Sequence, residues 1–256
     1  MAGNIEDLAE QLFEARRTAR RLPAPDGASS IAEAYAVQRA CFARRNMPVM
    51  VWKLGLTADA PRRSLRSDDP VVGRLAASDI YVDRSETRTF GDEMFAEAEL
   101  IFELGGDLPP SGAPYSPTAV AAAVKGMYAG IELAATRFTS SDLSLDYLIS
   151  DNCLGHALVL GDRLAPRWLD DFANMDVELE RSGHPAVTGS TANVMGNPLS
   201  AATWLANWLA MHEDGLKREQ LIASGTCTGI TQIFPGDVIT ARFPGRGQAR
   251  VSLTAD

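Results

Sequence analysis

Residues 95–109 read FAEAELIFELGGDLP, and the glutamates at 97 and 99 stand inside an otherwise apolar run. In an extended strand, residues two apart project from the same face. Phe95, Glu97, Glu99, Ile101 and Glu103 then share one side, while Ala96, Ala98, Leu100, Phe102 and Leu104 form the other, core-facing side. Two like charges about 7 Å apart at Cα on a partly buried face are costly unless something neutralises them. A hard divalent cation such as Mg2+, which prefers oxygen ligands, offsets that cost. The alternative is a solvated face on an edge strand, which Glu103 favours. Glu132 weighs on the other side, as a lone acid in GIELAA, a second strand pattern of small and apolar residues. Three carboxylates from two strands make half an octahedron, leaving positions for water or a ligand.

Lys53 is the single charge in VMVWKLGL. A lysine there either reaches its ammonium out past a strand edge or is buried and functional.

The surrounding pattern is mixed. Ile5, Leu8, Leu12, Ala15, Ala19 and Leu22 put one apolar stripe on a helix over 4–22. Pro, Gly and Ser make 22–30 a loop, and Ser30 with Glu33 forms a capping box opening a second helix to about 46. Residues 49–57 read as a strand, 58–70 as an exposed connection or short helix, and 117–127 as an Ala-rich helix. Strands are expected over 128–138 and in HALVLGD, and a hairpin over 174–190 turning near Ser182-Gly183. A helix over 198–215 and a β tail turning at Pro235-Gly236 complete the pattern. The fold class is α+β, a large mixed sheet with an N-terminal helical layer. Residues 1–75 hold the helical region and first strand, and 76–256 the mixed β core, in one compact unit.

A net charge of −9, from 24 basic and 33 acidic residues, argues against nucleic-acid or anionic-membrane surfaces. Cys41, Cys153 and Cys227 form no CxxC pair, the first residues are too polar for a signal peptide, and no run is long enough to span a membrane. A cytoplasmic location is expected.

Eight segments in order resemble the fumarylacetoacetate-hydrolase superfamily, most closely its hydratase/decarboxylase branch. They are AEAYAVQ (32–38), KLGLT (53–57), DPVVGRL (69–75), AEAELIFELGGDLP (96–109), GIELAATRF (130–138), DNCLGHALVLG (151–161), GNPLSAATWLAN (196–207) and SGTCTGITQIFPGD (224–237). The resemblance implies a roll or pseudo-barrel of mixed strands. It also implies Mg2+ or Mn2+ held by Glu97, Glu99 and Glu132, the family's strand lysine at Lys53, and its glycine–hydroxyl segment at Gly225-Thr226. Two positions depart from the pattern. Val71 stands where related hydratases carry Asp, and Leu154 and Gly155 where they carry Ser, so Val71 and Leu154 become candidate substrate-contact positions. His156, in the same segment, is either a replacement acid/base or a histidine packed at the sheet surface. Asp151-Asn152 either caps a turn or lines the pocket, and Arg137 either binds a substrate carboxylate or ends a strand in solvent.

The implied activity is that of a metal-dependent lyase on a small 2-oxo or 2-hydroxydienoic acid in aromatic-compound breakdown, with 2-keto-4-pentenoate-type hydration first. Decarboxylation of a 4-oxalocrotonate-type 2-oxo-enedioic acid is the second reading. A weakly active metal- and ligand-binding member, or a partner subunit, is the third. A homo-oligomer, and a partner enzyme of the same pathway, are further expectations by analogy.

Overall fold

The computed structural model describes residues 2–24, 30–91, 93–140, 144–165 and 171–255, so the middle of the loop expected at 22–30 lies outside the described residues. Two helices, α1 (Ala2–Thr18) and α2 (Ile31–Ala43), open the chain. The capping box at α2 is complete: Ser30 Oγ accepts from the Glu33 N–H at 3.2 Å, and Glu33 Oε2 accepts from the Ser30 N–H at 3.0 Å. α1 stops earlier than its apolar stripe, at Ala19 with φ +53°, and Leu22 bridges Phe138 instead.

Then follow β1 (Val51–Gly55), α3 (Asp59–Leu65), β2 (Val71–Leu75), β3 (Ile80–Val82), β4 (Ser85–Arg88) and β5 (Met94–Leu104). The middle of the chain forms α4 (Pro117–Ala123), β6 (Val124–Ala135), α5 (Leu145–Ser150), β7 (Gly155–Ala165), β8 (Asp176–Arg181) and β9 (Val187–Ser190). The last part forms α6 (Pro198–His212), β10 (Leu221–Thr226), β11 (Thr231–Ile233), β12 (Val238–Phe243) and β13 (Gly247–Thr254).

The main sheet runs β2-β1-β10-β5-β6-β7-β3, with β11 alongside β5. The second runs β4-β13-β12-β8-β9. Both are mixed: β1/β10, β3/β7 and β4/β13 are parallel, and the remaining pairs antiparallel. This is the α+β arrangement of mixed sheets with an N-terminal helical layer that the pattern predicted, curled into a half-barrel as the family resemblance implied. β1 and β2, from the first 75 residues, are members of the same sheet as β5 and β6.

Strand parity divides the main sheet. Trp52, Leu54, Ala98, Leu100, Phe102, Ile131 and Leu133 face a large core completed by Val177, Ile239 and Phe243 of the second sheet and Leu205 and Leu209 of α6. The opposite face carries a smaller cluster of Val51, Leu75, Ile101, Leu158, Leu221 and Ala223. Ala9, Leu12 and Val37 of the helical layer pack on Phe138.

The Ala-rich helix expected over 117–127 ends at Ala123, and Val124–Met127 belongs to β6. The waiting ladder of β5, where Leu104 pairs with Val124 and Phe102 with Met127, outweighs alanine's helix propensity. Within 58–70, α3 is a true helix closed by Arg66 at φ +53°. The hairpin, the final helix and the turn at Pro235-Gly236 form where expected. Among the described residues no helix is long and apolar enough to cross a membrane.

Candidate metal centre

Register does what spacing alone cannot. In the β5–β6 ladder Glu97 stands directly opposite Glu132, and Glu99 opposite Gly130. One oxygen from each of Glu97, Glu99 and Glu132 lies within 4.8 Å of the other two. Glu99 and Glu132 are fully buried, and Glu97 opens onto a cavity.

β1 brings in the lysine. Its parallel pairing with β10 puts Lys53 beside Ala223 on the carboxylate face. Lys53, 2 % exposed, sets Nζ 2.7 Å from Glu132 Oε1 in an ion pair. The same Nζ donates to the Cys153 carbonyl at 2.8 Å. Glycine makes the passage for the stem: a Cβ on Gly73, opposite Lys53 in β2, would lie 2.8 Å from Lys53 Cδ and 2.7 Å from the Asn152 carbonyl. Gly225 sits at φ +113°, where the β10 register shifts, and donates its N–H to Glu99 Oε2 at 3.1 Å.

The charges are set by burial. Loss of water pushes the Glu97 carboxyl up to about 7, with the Glu132 charge adding and Lys53 opposing. Burial likewise drives Glu99 well above the carboxylate range, and Glu132 upward against the pull of Lys53. Burial works against the Lys53 ammonium, but Glu132 and Glu97 outweigh it and hold the group protonated. Glu99 Oε1 and Glu132 Oε2 accept no hydrogen bond. Buried carboxyl oxygens without donors on Glu99 and Glu132, converging with Glu97, fit a hard divalent cation.

Asn152, Cys153 and Leu154 are three successive non-glycine residues with φ of +56°, +52° and +62°. Such a run is strained and persists only where its surroundings over-determine it. Asn152 Oδ1 accepts from the Arg74 N–H and its Nδ2 donates to the Arg74 carbonyl, both at 2.9 Å. Behind the turn, Arg137 is buried and paired with Asp151, which also accepts from Thr136 Oγ1 at 2.9 Å and from the Arg137 N–H at 2.8 Å. Arg137 is therefore neither a substrate ligand nor a solvated strand end; Asp151 occupies it. The turn presents the Cys153 carbonyl to Lys53 and Leu154 to the cavity.

That cavity, of about 570 Å3, brings together Lys53, Glu97, Val71, Leu154 and Thr226 from the sequence-derived set. Gly225 stands behind it against Glu99. His156 is not brought in, which corrects its candidacy as an acid/base. It lines a separate depression with Tyr81, Phe90 and Thr254, its ring tilted on Phe90 at 5.2 Å between centroids. Burial, with Arg16 and Arg137 nearby, pushes it down to about 3, so it stays neutral. The β6–β7 pairing skips His156, passing from Leu133 opposite Ala157 to Ala134 opposite Gly155.

Sequence reasoning missed Gly73, Cys153, Phe95 and Leu65, and the polar lining residues Thr57, Asn193 and Thr228. Of these, Phe95 leaves a local trace by sharing the strand face of Glu97, and Gly73 as a glycine inside the strand pattern VVGRL.

The family described as fumarylacetoacetate (FAA) hydrolase C-terminal matches residues 45–254. A 2-keto-4-pentenoate hydratase of Paraburkholderia xenovorans is 28% identical over 98% of this chain and 95% of its own length. A TodF product hydratase of Pseudomonas putida is 30% identical over 98% of this chain and 96% of its own. The solved structure of a 4-oxalocrotonate decarboxylase from Pseudomonas putida G7, complexed with magnesium and adipate, shares the fold at a TM-score of 0.90 and 24% identity, covering 99% of this chain and 98% of its own. With its fold, its carboxylate trio and a family match over most of its length, the chain belongs to the fumarylacetoacetate hydrolase C-terminal family.

Proposed function

We propose that the protein is a divalent-metal-dependent lyase that hydrates a 2-hydroxydienoic (2-oxo-enoic) acid of the 2-keto-4-pentenoate type. The observation that carries this is the cross-strand pair Glu97–Glu132 with Glu99 and Lys53 at the edge of one cavity. Glu97, Glu99 and Glu132 would hold the ion, which we assign as Mg2+, with Mn2+ as the alternative. When bound, it supplies Lewis-acid stabilisation of negative charge on the oxygens of a 2-oxo acid.

The chain's own residues do the rest. Lys53 holds a proton at Nζ beside the carboxylates and is the cationic side chain of the lining. Gly225 fixes Glu99 through its N–H, so that carboxylate is aimed before any ligand arrives. Val71 and Leu154 give the wall no proton-handling group. Orientation of the added water therefore falls to Thr57, Asn193, Thr226 and Thr228. The apolar wall keeps bulk water out.

The Mg2+-loaded protein should deplete the ultraviolet absorbance of 2-hydroxypenta-2,4-dienoate without releasing CO2. CO2 from 2-oxohex-3-enedioate would instead make it a decarboxylase. Turnover of neither, with metal bound, would leave a binding or partner-subunit role. Unpaired cysteines, two of the three buried, support placement in the reducing cytoplasm. A homo-oligomer is proposed by analogy with metabolic enzymes generally.

A further inference from the structure

We infer that the cavity selects a monocarboxylate whose far end is uncharged and apolar and extends beyond a five-carbon chain. This rests on the proposed 2-oxo acid chemistry and adds the class of substrate. Among the described residues that line the cavity, Lys53 is the sole cationic side chain, and Glu132 already engages it. A second carboxylate would lose its water there with no counter-ion in reach, which is strongly unfavourable. On α3, Arg62 is engaged by Asp59 one turn earlier, and neither Arg62 nor Arg63 is among the lining residues.

Apart from the polar group of Thr57, Asn193, Thr226 and Thr228, much of the wall is carbon drawn from separate elements: Leu65 of α3, Val71 of β2, Phe95 of β5, Leu148 of α5, Leu154 of the strained turn and Ile230. A surface of that kind, meeting one charged corner, fits an amphipathic acid held by its head. The volume of about 570 Å3 also lies in the range that encloses drug-sized ligands, well above what a five-carbon acid fills. An overall charge of −9 adds a field that disfavours dianions.

Calorimetric titration of the Mg2+-loaded protein with pyruvate, 2-oxooctanoate and 2-oxoadipate tests this. None of them carries a double bond to hydrate, so the readout is affinity alone. We expect 2-oxooctanoate to bind at least about tenfold tighter than pyruvate, and 2-oxoadipate no tighter than pyruvate. Tighter binding of 2-oxoadipate than of 2-oxooctanoate, or equal binding of pyruvate and 2-oxooctanoate, overturns the inference and leaves the proposed function standing. No binding of any of the three, with Mg2+ retained, overturns both. Leu65→Arg, checked for a native circular-dichroism spectrum because Leu65 also packs against the core, should raise the affinity for 2-oxoadipate about tenfold and lower that for 2-oxooctanoate. Unchanged affinities in that variant also overturn the assignment.

Discussion

Glu97 and Glu132 face each other directly across the β5–β6 ladder, and the Lys53 ammonium answers only one of them, 2.7 Å from Glu132 Oε1. Directly opposed like charges destabilise a sheet, and burial makes them worse. When these carboxyls ionise, the fold carries a deficit of positive charge at this point, which a divalent ion would remove.

The first prediction follows from that deficit. Glu99→Gln should weaken Mn2+ binding by at least about 100-fold while leaving the metal-free protein as stable as before or more so, because a neutral amide replaces a carboxyl whose ionisation burial opposes and whose Oε1 has no donor. Calorimetric Mn2+ titration and the urea midpoint of the metal-free protein measure the two effects. Unimpaired metal affinity would remove Glu99 from the ligand set.

A second concerns pH. Burial raises Glu97 to about 7, and Glu99 and Glu132 are also raised. Carboxyls whose folded values lie above their unfolded ones stabilise the metal-free fold at low pH, and that contribution is lost as pH rises from the ordinary carboxylate range through about 7. Protons and metal compete for the same oxygens, so the Tm gain on adding Mg2+ should be larger at pH 8 than at pH 5.5. Equal gains at both would contradict the assignment of these groups.

Lys53→Met keeps the stem that threads past Gly73 and removes the charge. We expect a folded protein with kcat/KM reduced about 100-fold or more and metal affinity changed less than the rate. A rate within twofold of the parent would make Lys53 a packing residue.

Gly73→Ala should destabilise the fold by about 1–3 kcal/mol, because its Cβ meets Lys53 Cδ and the Asn152 carbonyl below 3 Å. Denaturant unfolding measures the loss. The displaced lysine should also lower turnover more than the stability change explains.

His156 titrates in the fold rather than in the chemistry. Its folded value, about 3, lies below the ordinary histidine value, so it contributes stability above pH 6.5 that is lost as pH falls toward 3. His156→Phe should flatten the fall in Tm between pH 6.5 and 4 and leave the pH profile of turnover unchanged. An altered turnover profile would restore it as an acid/base.

The sequence by itself determined what local periodicity and residue chemistry can carry. It placed Glu97 and Glu99 on one face of a strand, Glu132 alone in another, the capping box at Ser30 and Glu33, the hairpin near Ser182-Gly183, and the mixed α+β class. Side-chain alternation in a strand is a local property and needs no partner to be read. The tertiary structure alone decided which strands became neighbours and in what register. It set Glu132 opposite Glu97, carried Lys53 through the gap at Gly73, gave Arg137 to Asp151, turned His156 out of the site, and drew Val124–Met127 from helix into sheet. Those outcomes depend on pairings between segments distant in the chain. A shift of one residue would move every side chain to the other face, so the burial of the whole sheet, not any local motif, selects them.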